Sequence, residues 1–180
     1  EIGVEIAIRH LIEQGHRQIG MITTPHDTHV RNARVQGYRT VLEEEDIPFD
    51  KSLVAWGETE KHDGFSEESG YEAMQKLLKE QPQITAVFAS SDVQAVGAWQ
   101  AIRQAEKTVP DDFALVGYDD IKISRFIGLS SVAQNMHEVG ERAAETLLRR
   151  LNREDFPTVS QRVQHELHVR KSSDYIRPRS

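Results

Sequence analysis

The chain of 180 residues contains no cysteine, so neither a disulfide nor thiolate chemistry contributes to its structure or function. It has no apolar run near the roughly 18 residues of a membrane span, and we expect no membrane partner. Its 29 acidic residues outnumber 22 basic ones, and the net charge of −7 excludes a broad basic surface for nucleic acid. The lack of cysteine is typical of the reducing cytoplasm, which is the localisation we expect.

Enzyme signatures are also missing. There is no G-x-S-x-G elbow, no P-loop and no G-x-G-x-x-G motif. His26 and His29 have no evident third ligand for a metal. His165 and His168, three positions apart on a predicted strand, should point to opposite faces. The sequence therefore predicts no catalytic residue, no metal site and no cofactor.

Four predicted strands alternate with predicted helices, starting from a first amphipathic helix over residues 1–14. The strands are continuously apolar, which is typical of a parallel sheet covered on both faces. The predicted strands are residues 19–23, 52–56, 85–89 and 113–118, and the predicted helices are residues 30–44, 67–80 and 92–106. The predicted fold class is α/β, a doubly wound parallel sheet.

The alternation of strands and helices changes after the fourth predicted strand. A segment over 129–134 leads into a long helix over 135–150, and an alternating strand over 163–169 ends the pattern. A helix that follows a completed set of repeats is expected to pack in a second lobe, which is mostly missing here. The chain would cross between the two lobes at residues 131–134 and 158–161. We therefore divide the chain into a lobe (1–134), a helix returning to the other lobe (135–157), a crossing and final strand (158–171) and a polar tail (172–180).

The start of the chain suggests a longer parent protein. The first predicted helix has no capping residue before it, and the sequence has no initiator methionine. We expect the sequence to be the C-terminal part of a longer polypeptide.

In an open parallel sheet, ligands bind beyond the carboxyl ends of the strands. Hydroxyls, carboxylates and aromatic rings follow the predicted strands at Thr23 and Thr24, within 57–65, at Ser90 to Asp92, and at Tyr118 to Asp120. Acidic acceptors bind vicinal hydroxyls, and a ring stacks on the apolar face of a pyranose or a base. The pattern favours a carbohydrate-like ligand.

Several candidates have a structural alternative. Arg34 lies on the apolar stripe of its helix, where it either donates to a ligand or packs its stem and reaches solvent. Asp92 opens a helix and can act as its N-cap as well as bind a ligand. Phe65 lies in a polar loop, either as a ligand contact or as a loop anchor. Tyr118 and Asp119 either contact a ligand or only end the strand, and the adjacent Asp119 and Asp120 rarely converge as an acid/base pair.

Six segments, taken in order, resemble the LacI/GalR family of sugar-responsive repressors. They are HLIEQGHRQIGMIT, RNARVQGY, GFSEESGY, SSDVQAVGAWQAI, VPDDFALVGYDD and LSSVAQNMHEVGERAAETLL. Each is modest alone, but their order and spacing are specific and cover nearly everything from the first helix to Lys171. Ser91 stands where Asn is common in the family, Gly128 where Pro often precedes the next segment, and Leu-Ser-Ser replaces Leu-Thr-Thr.

The resemblance implies a periplasmic-binding-protein-like lobe whose effector contacts are Arg34, Phe65, Asp92 and Asp119. Further candidates by the same resemblance are Ser91, Tyr118 and Gln134. It also implies a parent protein that senses a sugar or a related small polar metabolite and that binds operator DNA through an N-terminal helix-turn-helix outside this sequence.

The family resemblance further implies a homodimer. Apolar residues spread around the predicted helix over 92–106 more widely than one sheet contact requires. We expect Ala95, Ala98, Trp99 and Ile102 to form the dimer interface with the loop after Tyr118. The alternative is that the first or the late helix of the same chain covers Trp99.

Two other protein classes remain open. A periplasmic sugar-binding protein of an ABC transporter would share the lobes but require a signal peptide and a monomer. An α/β enzyme acting on sugar phosphates would require a phosphate cradle, which the sequence lacks.

Overall fold

A computed structural model of the protein describes residues 2–59, 61–152 and 163–174. These residues form a six-stranded sheet with the order β2-β1-β3-β4-β5-β6. The strands are β1 (Ile19–Ile22), β2 (Val54–Ala55), β3 (Ala86–Ala89), β4 (Ala114–Tyr118), β5 (Ser130–Ala133) and β6 (Glu166–His168). All neighbouring strands are parallel except β5 and β6, which are antiparallel. The predicted α/β class with a mostly parallel sheet is confirmed.

Helices cover both faces of this sheet. They are α1 (Ile2–Glu13), α2 (His29–Glu44), α3 (Glu67–Glu80), α4 (Asp92–Gln104), α5 (Lys122–Ile127) and α6 (Met136–Leu151). Met21 and Phe88 point to the face covered by α1 and α2, whereas Ile22 and Val87 point to the face covered by α3 and α4. Successive strand residues point to opposite faces, so strands with two covered faces are apolar throughout.

The backbones of α3 and α4 approach closely at two glycines, one on each helix. A Cβ atom on Gly70 would lie 2.0 Å from the carbonyl oxygen of Gln94, and one on Gly97 would lie 1.9 Å from the carbonyl oxygen of Glu67. Only glycine permits this approach. As a result, α3 packs closely against the side of α4, and both helices cover the same face of the sheet.

The second strand is shorter than predicted. Asp50 accepts a hydrogen bond from the backbone N–H of Ser52 at 2.8 Å, and a 3-10 turn follows over Lys51–Leu53. Only Val54–Ala55 then pairs with β1. The local bond of Asp50 competes with the strand conformation, as short polar side chains often do.

The predicted crossing over 131–134 is largely a strand. Ser130–Ala133 forms β5, which pairs with β4 on one side and β6 on the other, so only Gln134 lies beyond the sheet. The second predicted crossing, over 158–161, lies outside the described residues.

The prediction that a polar tail begins at residue 172 is wrong. Ser172 accepts the backbone N–H of Leu115 at 2.8 Å and donates its hydroxyl to the carbonyl oxygen of Leu115 at 2.6 Å. The hydroxyl of Ser173 lies 2.8 Å from Nε2 of His10 on α1. Both serines are fully buried. Because their side chains complete hydrogen bonds inside the lobe, small polar residues at these positions are part of the core; residues 175–180 lie outside the described part.

No residue of α6 is buried, although the helix has a well-defined apolar face. Its exposed apolar side chains are Met136, Val139, Leu147, Leu148 and Leu151. None of the described helices is both long and apolar enough to cross a lipid bilayer.

Candidate functional site

Polar loops meet at one edge of the sheet because β1 to β5 are parallel. The strand order reverses between β1 and β3, which is where ligands bind in open α/β sheets. Thr23 and Thr24 follow β1 at this position, and Ser90 and Ser91 follow β3. The candidate site is therefore built on the loops that follow these strands and their neighbours.

Arg34 reaches into this site from α2. Its Nη1 donates to the backbone carbonyl of Ser90 at 2.9 Å. Its guanidinium carbon lies 4.5 Å from the ring centre of Tyr118 and 5.9 Å from that of Phe65. These distances are typical of cation–π contacts. The side chain is half-buried and held in place, and two aromatic candidates flank it.

Tyr118 forms the floor beneath Arg34. It is the last residue of β4 and is buried between Phe88, whose ring lies 6.3 Å away edge-on, and the backbone of α1. A Cβ atom on Gly3 would lie 2.6 Å from the Tyr118 ring, so the first turn of α1 rests on it. Burial raises the pKa of Tyr118, and the charge of Arg34 opposes that shift. Tyr118 is therefore a neutral hydroxyl at neutral pH.

Asp119 follows in the left-handed region, with φ of 101°. Its Oδ1 accepts a hydrogen bond from Nε2 of Gln134 at 2.5 Å. Burial raises the pKa of Asp119, whereas the bond from Gln134 and the charge of Arg34 act in the opposite direction. Within the described residues, Oδ2 of Asp119 has no hydrogen bond. One carboxylate oxygen is thus fixed and the other is available to a ligand.

The neighbouring carboxylate of Asp120 points elsewhere. It forms an ion pair with Arg170 at 2.7 Å, with Arg125 at 3.6 Å and His168 at 3.7 Å nearby. Its backbone, with φ of 48°, turns the side chain toward β6 and away from Asp119. Asp119 and Asp120 do not converge on one point.

The expectation that Asp92 contacts an effector is corrected by its surroundings. Asp92 is fully buried, and its carboxylate accepts bonds from the backbone N–H of Ile121 at 2.8 Å and from the hydroxyls of Ser124 and Ser131, both at 2.6 Å. A Cβ atom on Gly117 would lie 2.2 Å from Oδ1, so glycine is required there. Burial raises the pKa of Asp92, against the effect of these donors. Asp92 supports the loop after β4 and offers no oxygen to a ligand.

Ser91, and not Asp92, is the N-cap of α4. Its hydroxyl accepts the backbone N–H of Gln94 at 3.2 Å. Since a hydroxyl can donate while it accepts, Ser91 retains one hydrogen for a ligand.

Gln94 is a site residue that the sequence analysis missed. Its Nε2 donates to the carbonyl oxygens of Thr23 at 3.0 Å and Gly64 at 2.8 Å, and its Oε1 accepts the hydroxyl of Ser90 at 3.0 Å. It is fully buried and ties together the loops that follow β1, β2 and β3. The available signal was a polar residue four positions before Ala98, on the apolar face of the helix.

The expectation that Ala95, Ala98 and Ile102 form a subunit interface is also corrected. All three are fully buried within the chain, where they pack in one core cluster with residues of α3 and of the sheet. Only Trp99 of the predicted set is partly exposed. Neither α1 nor α6 covers it, so the alternative covering is not found either.

Trp99 belongs instead to an apolar surface shared with α5. A cavity of about 230 Å³ is lined by Val96, Trp99, Gln100, Arg103 and Ile127. On the same helix as Ile127, Ile123 is 45% exposed and Phe126 is 76% exposed. We call the side chains of Val96, Trp99, Ile123, Phe126 and Ile127 the α4–α5 surface.

A larger cavity of about 680 Å³ lies between α6 and the rest of the lobe. Gln134 and His165 line its inner end, where the His165 ring lies 6.1 Å from that of Tyr118. Burial and the charge of Arg34 lower the pKa of His165. The cavity thus begins beside Asp119 and continues along the unpacked face of α6.

Known proteins are similar to this chain in sequence and in fold. Residues 8–173 match the family of periplasmic binding protein-like domains. The chain belongs to this family. A ribose operon repressor of Haemophilus influenzae is 40% identical over 152 residues, which are 83% of this chain and 44% of the repressor. This periplasmic binding protein-like chain therefore spans less than half the length of that relative.

Two solved structures of LacI-type regulators have the same fold. A complex of the transcriptional regulator CelR with cellobiose superposes with a TM-score of 0.84 at 35% identity, covering 94% of this chain and 51% of that one. A LacI-family regulator from Enterococcus faecium with bound ribose gives a TM-score of 0.83 at 27% identity, covering 94% and 61%. The resemblance to LacI/GalR regulators found in the sequence is confirmed.

Proposed function

We propose that this periplasmic binding protein-like chain is the effector-binding and dimerisation portion of a LacI/GalR-type transcriptional regulator. The observation that carries this proposal is the convergence of Arg34, Phe65, Tyr118 and Asp119 at the switch point of the sheet. The chain acts as a sensor and not as an enzyme. It works in the cytoplasm, and operator DNA is bound by an N-terminal helix-turn-helix domain of the full protein.

The effector is a sugar or a related small polar metabolite. The free Oδ2 of Asp119 accepts ligand hydroxyls, Arg34 donates to them, and Phe65 stacks on an apolar sugar face. The ribose and cellobiose bound to similar regulators support this class of ligand. Gln134 and Ser91 supply further polar contacts at the rim.

The second wall of the site is a first lobe of the full protein. Its support is α6, which presents an apolar face with no buried residue and borders the cavity beside Asp119. We assign residues 135–157 to the return into that lobe and residues 158–171 to the crossing back and the final strand.

Titration calorimetry of the full protein with ribose and with cellobiose tests the effector site. With whichever sugar binds, Phe65→Ala should lose about 1–3 kcal/mol of binding free energy through lost stacking, and Asp119→Asn should lose a similar amount. Glu80→Gln, an exposed carboxylate change at the end of α3, is the matched control. Unchanged binding in both site variants would place the effector elsewhere.

We further propose that the α4–α5 surface forms a homodimer interface. Trp99 lines one cavity with Ile127 of α5, and Ile123 and Phe126 of the same helix are exposed; exposed apolar surface of this kind is typical of protein–protein contact sites. A two-fold dimer through this surface would set the spacing of two DNA-binding domains on half-sites.

A further inference from the structure

A second groove lies at the side of the sheet where β2 is the outermost strand, between α2 and that strand. Its volume is about 330 Å³. The groove is lined by Arg31, Val35 and Arg39 of α2 and by Lys51, Val54 and Trp56 of the strand side. We call it the α2–β2 groove. It is separate from the effector site, because Arg34 points from α2 to the Ser90 side.

The groove is cationic, although the chain as a whole carries a net charge of −7. Arg31, Arg39 and Lys51 line it, and no aspartate or glutamate of the described chain does. Arg39 is paired through Nε with Glu43 at 2.6 Å on the exposed side of α2. The ammonium group of Lys51 has no hydrogen bond or ion pair within the described residues. This local charge selects an anionic occupant by complementarity.

The aromatic rings of the groove are already covered by cations. Arg31 lies 5.6 Å and Lys76 5.4 Å from the ring centre of Trp56, and Arg39 lies 5.5 Å from that of Phe49. A planar ligand such as a nucleobase would have to displace a cation in order to stack. An occupant that brings carboxylates to these cations and an aliphatic group to the floor avoids that cost.

The spacing of the cations matches an extended peptide. Arg31 and Arg39 are eight residues apart on one helix, or about 12 Å along its axis. In an extended peptide, side chains at i and i+4 share one face and lie about 13 Å apart. The side chain at i+2 would then lie over the apolar floor made by Val35 and Val54.

We propose that the α2–β2 groove binds an extended acidic segment of a partner protein with the pattern Asp-x-Leu-x-Asp. The two carboxylates contact Arg31 and Arg39, Lys51 contacts the acidic end from the strand side, and the leucine covers Val35 and Val54. Arg31 also donates from Nε to the carbonyl oxygen of Thr24 at 3.0 Å. Through this hydrogen bond, the groove contacts the loop that follows β1.

A titration of the ¹⁵N-labelled chain with a nine-residue peptide, Gly-Ser-Asp-Thr-Leu-Thr-Asp-Ser-Gly, tests this proposal by NMR. We expect saturable shifts confined to the amides of residues 31–39 and 51–56, and weaker binding at higher salt. The peptide with both aspartates replaced by asparagine should bind at least about fivefold more weakly, since each exposed ion pair contributes a factor of a few.

Variants of the protein distinguish peptide binding in the groove from a general effect of the protein's positive charges. Arg39→Gln combined with Lys51→Gln should weaken binding of the aspartate peptide about fivefold to twentyfold. Lys79→Gln, an exposed cation change on α3, should leave it unchanged. Unaltered unfolding temperatures of both variants show that the groove itself was tested.

Three outcomes would overturn the proposal. They are an absence of shifts in the groove, equal binding of the aspartate and asparagine peptides, and displacement of the peptide by inorganic phosphate or adenosine monophosphate at lower concentration. The last result would assign the groove to a small anion. None of these measurements uses a sugar, so the outcome is independent of the proposed effector site.

Discussion

Gln94 organises the candidate site without needing to touch a ligand. Its amide is the shared partner of Thr23, Gly64 and Ser90, whose loops belong to three different strands. Buried carbonyl groups that lose such a donor retain the full cost of their desolvation. The rigidity of the site therefore depends on a side chain in the helix behind it.

Replacing this side chain by an apolar one of similar size isolates the hydrogen bonds. Gln94→Met should lower the free energy of unfolding by about 1–3 kcal/mol, because two carbonyl oxygens and one hydroxyl lose their partner. Urea denaturation measures the loss. Gln100→Met, on the exposed side of the same helix, should stay within about 0.5 kcal/mol of the wild type. A Gln94→Met protein as stable as the control would show that the network contributes nothing.

His10 gives a second prediction, because it is buried against Ser173. Burial is the largest effect on its pKa and lowers it from 6.5, whereas the hydrogen bond with Ser173 and the charges of Glu13 and Asp174 raise it. The unfolded chain therefore binds the proton more readily than the folded one. The contribution of His10 to stability is complete above pH 6.5 and is lost as the pH falls toward the lower folded pKa.

Unfolding free energies at pH 7.5 and pH 5.5 test this sign. The loss between the two pH values should be smaller in His10→Gln than in the wild type. His29→Gln, at the exposed start of α2, should leave the difference as it is in the wild type. An equal pH dependence of His10→Gln and wild type would contradict the argument.

The packing of α3 on α4 depends on two positions that have no side chain. Gly97→Ala would place a methyl group 1.9 Å from the carbonyl oxygen of Glu67 in the facing helix. Because backbone must move to relieve this contact, we expect a loss of about 3 kcal/mol or more in the free energy of unfolding.

Gly140 offers the matched control within α6. A Cβ atom there would meet nothing within 4 Å. Gly140→Ala should therefore add about 0.5–1 kcal/mol through helix propensity alone. The two substitutions are chemically identical, so denaturation midpoints that move in the same direction would show that the helix contact is looser than the structure indicates.

The same contact explains why the sequence predicted the bounds of α3 well but predicted the neighbours of α4 poorly. The sequence predicted residues 67–80 as a helix, and α3 has the same bounds, since an apolar stripe is a local signal; in the structure Ser66 caps its start. The wide apolar arc of α4 was assigned to a subunit interface, whereas α3 and the sheet cover Ala95, Ala98 and Ile102 and leave Trp99 partly exposed. Which neighbour covers an apolar face depends on close backbone approach at Gly70 and Gly97, and spacing along one helix does not encode that.

The candidate site was likewise predicted well in some residues and poorly in others. Arg34, Phe65, Tyr118, Asp119 and Gln134 lie close together because the parallel topology aligns the strand ends, and their contact with an effector stays a prediction. Asp92 does not join them. Its residue type and position at a helix start suit a ligand contact equally well, and only the tertiary structure shows three donors already bound to it.

At the scale of the whole molecule, association is the property to measure. Light scattering at micromolar concentration should give a mass near twice 20.5 kDa for the wild type. Phe126→Glu should weaken the dimer by about 2 kcal/mol or more, because a central aromatic contact is replaced by a charge.

Val30→Glu tests a similarly exposed apolar residue on α2, away from the α4–α5 surface. It should associate like the wild type. A monomeric wild type, or a Phe126→Glu protein that dimerises equally well, would remove this surface from the proposed interface.

The position of Arg170 to Asp174 also affects the order in which the lobe can be completed during synthesis. Ser172 supplies partners for both backbone groups of Leu115, a residue that leaves the ribosome more than fifty positions earlier. Until this segment emerges, the backbone N–H and carbonyl of Leu115 lack these partners and α1 lacks the partner of His10. A nascent chain that stops before Ser172 would therefore remain open to proteases, and full-length synthesis is a condition for a durable fold.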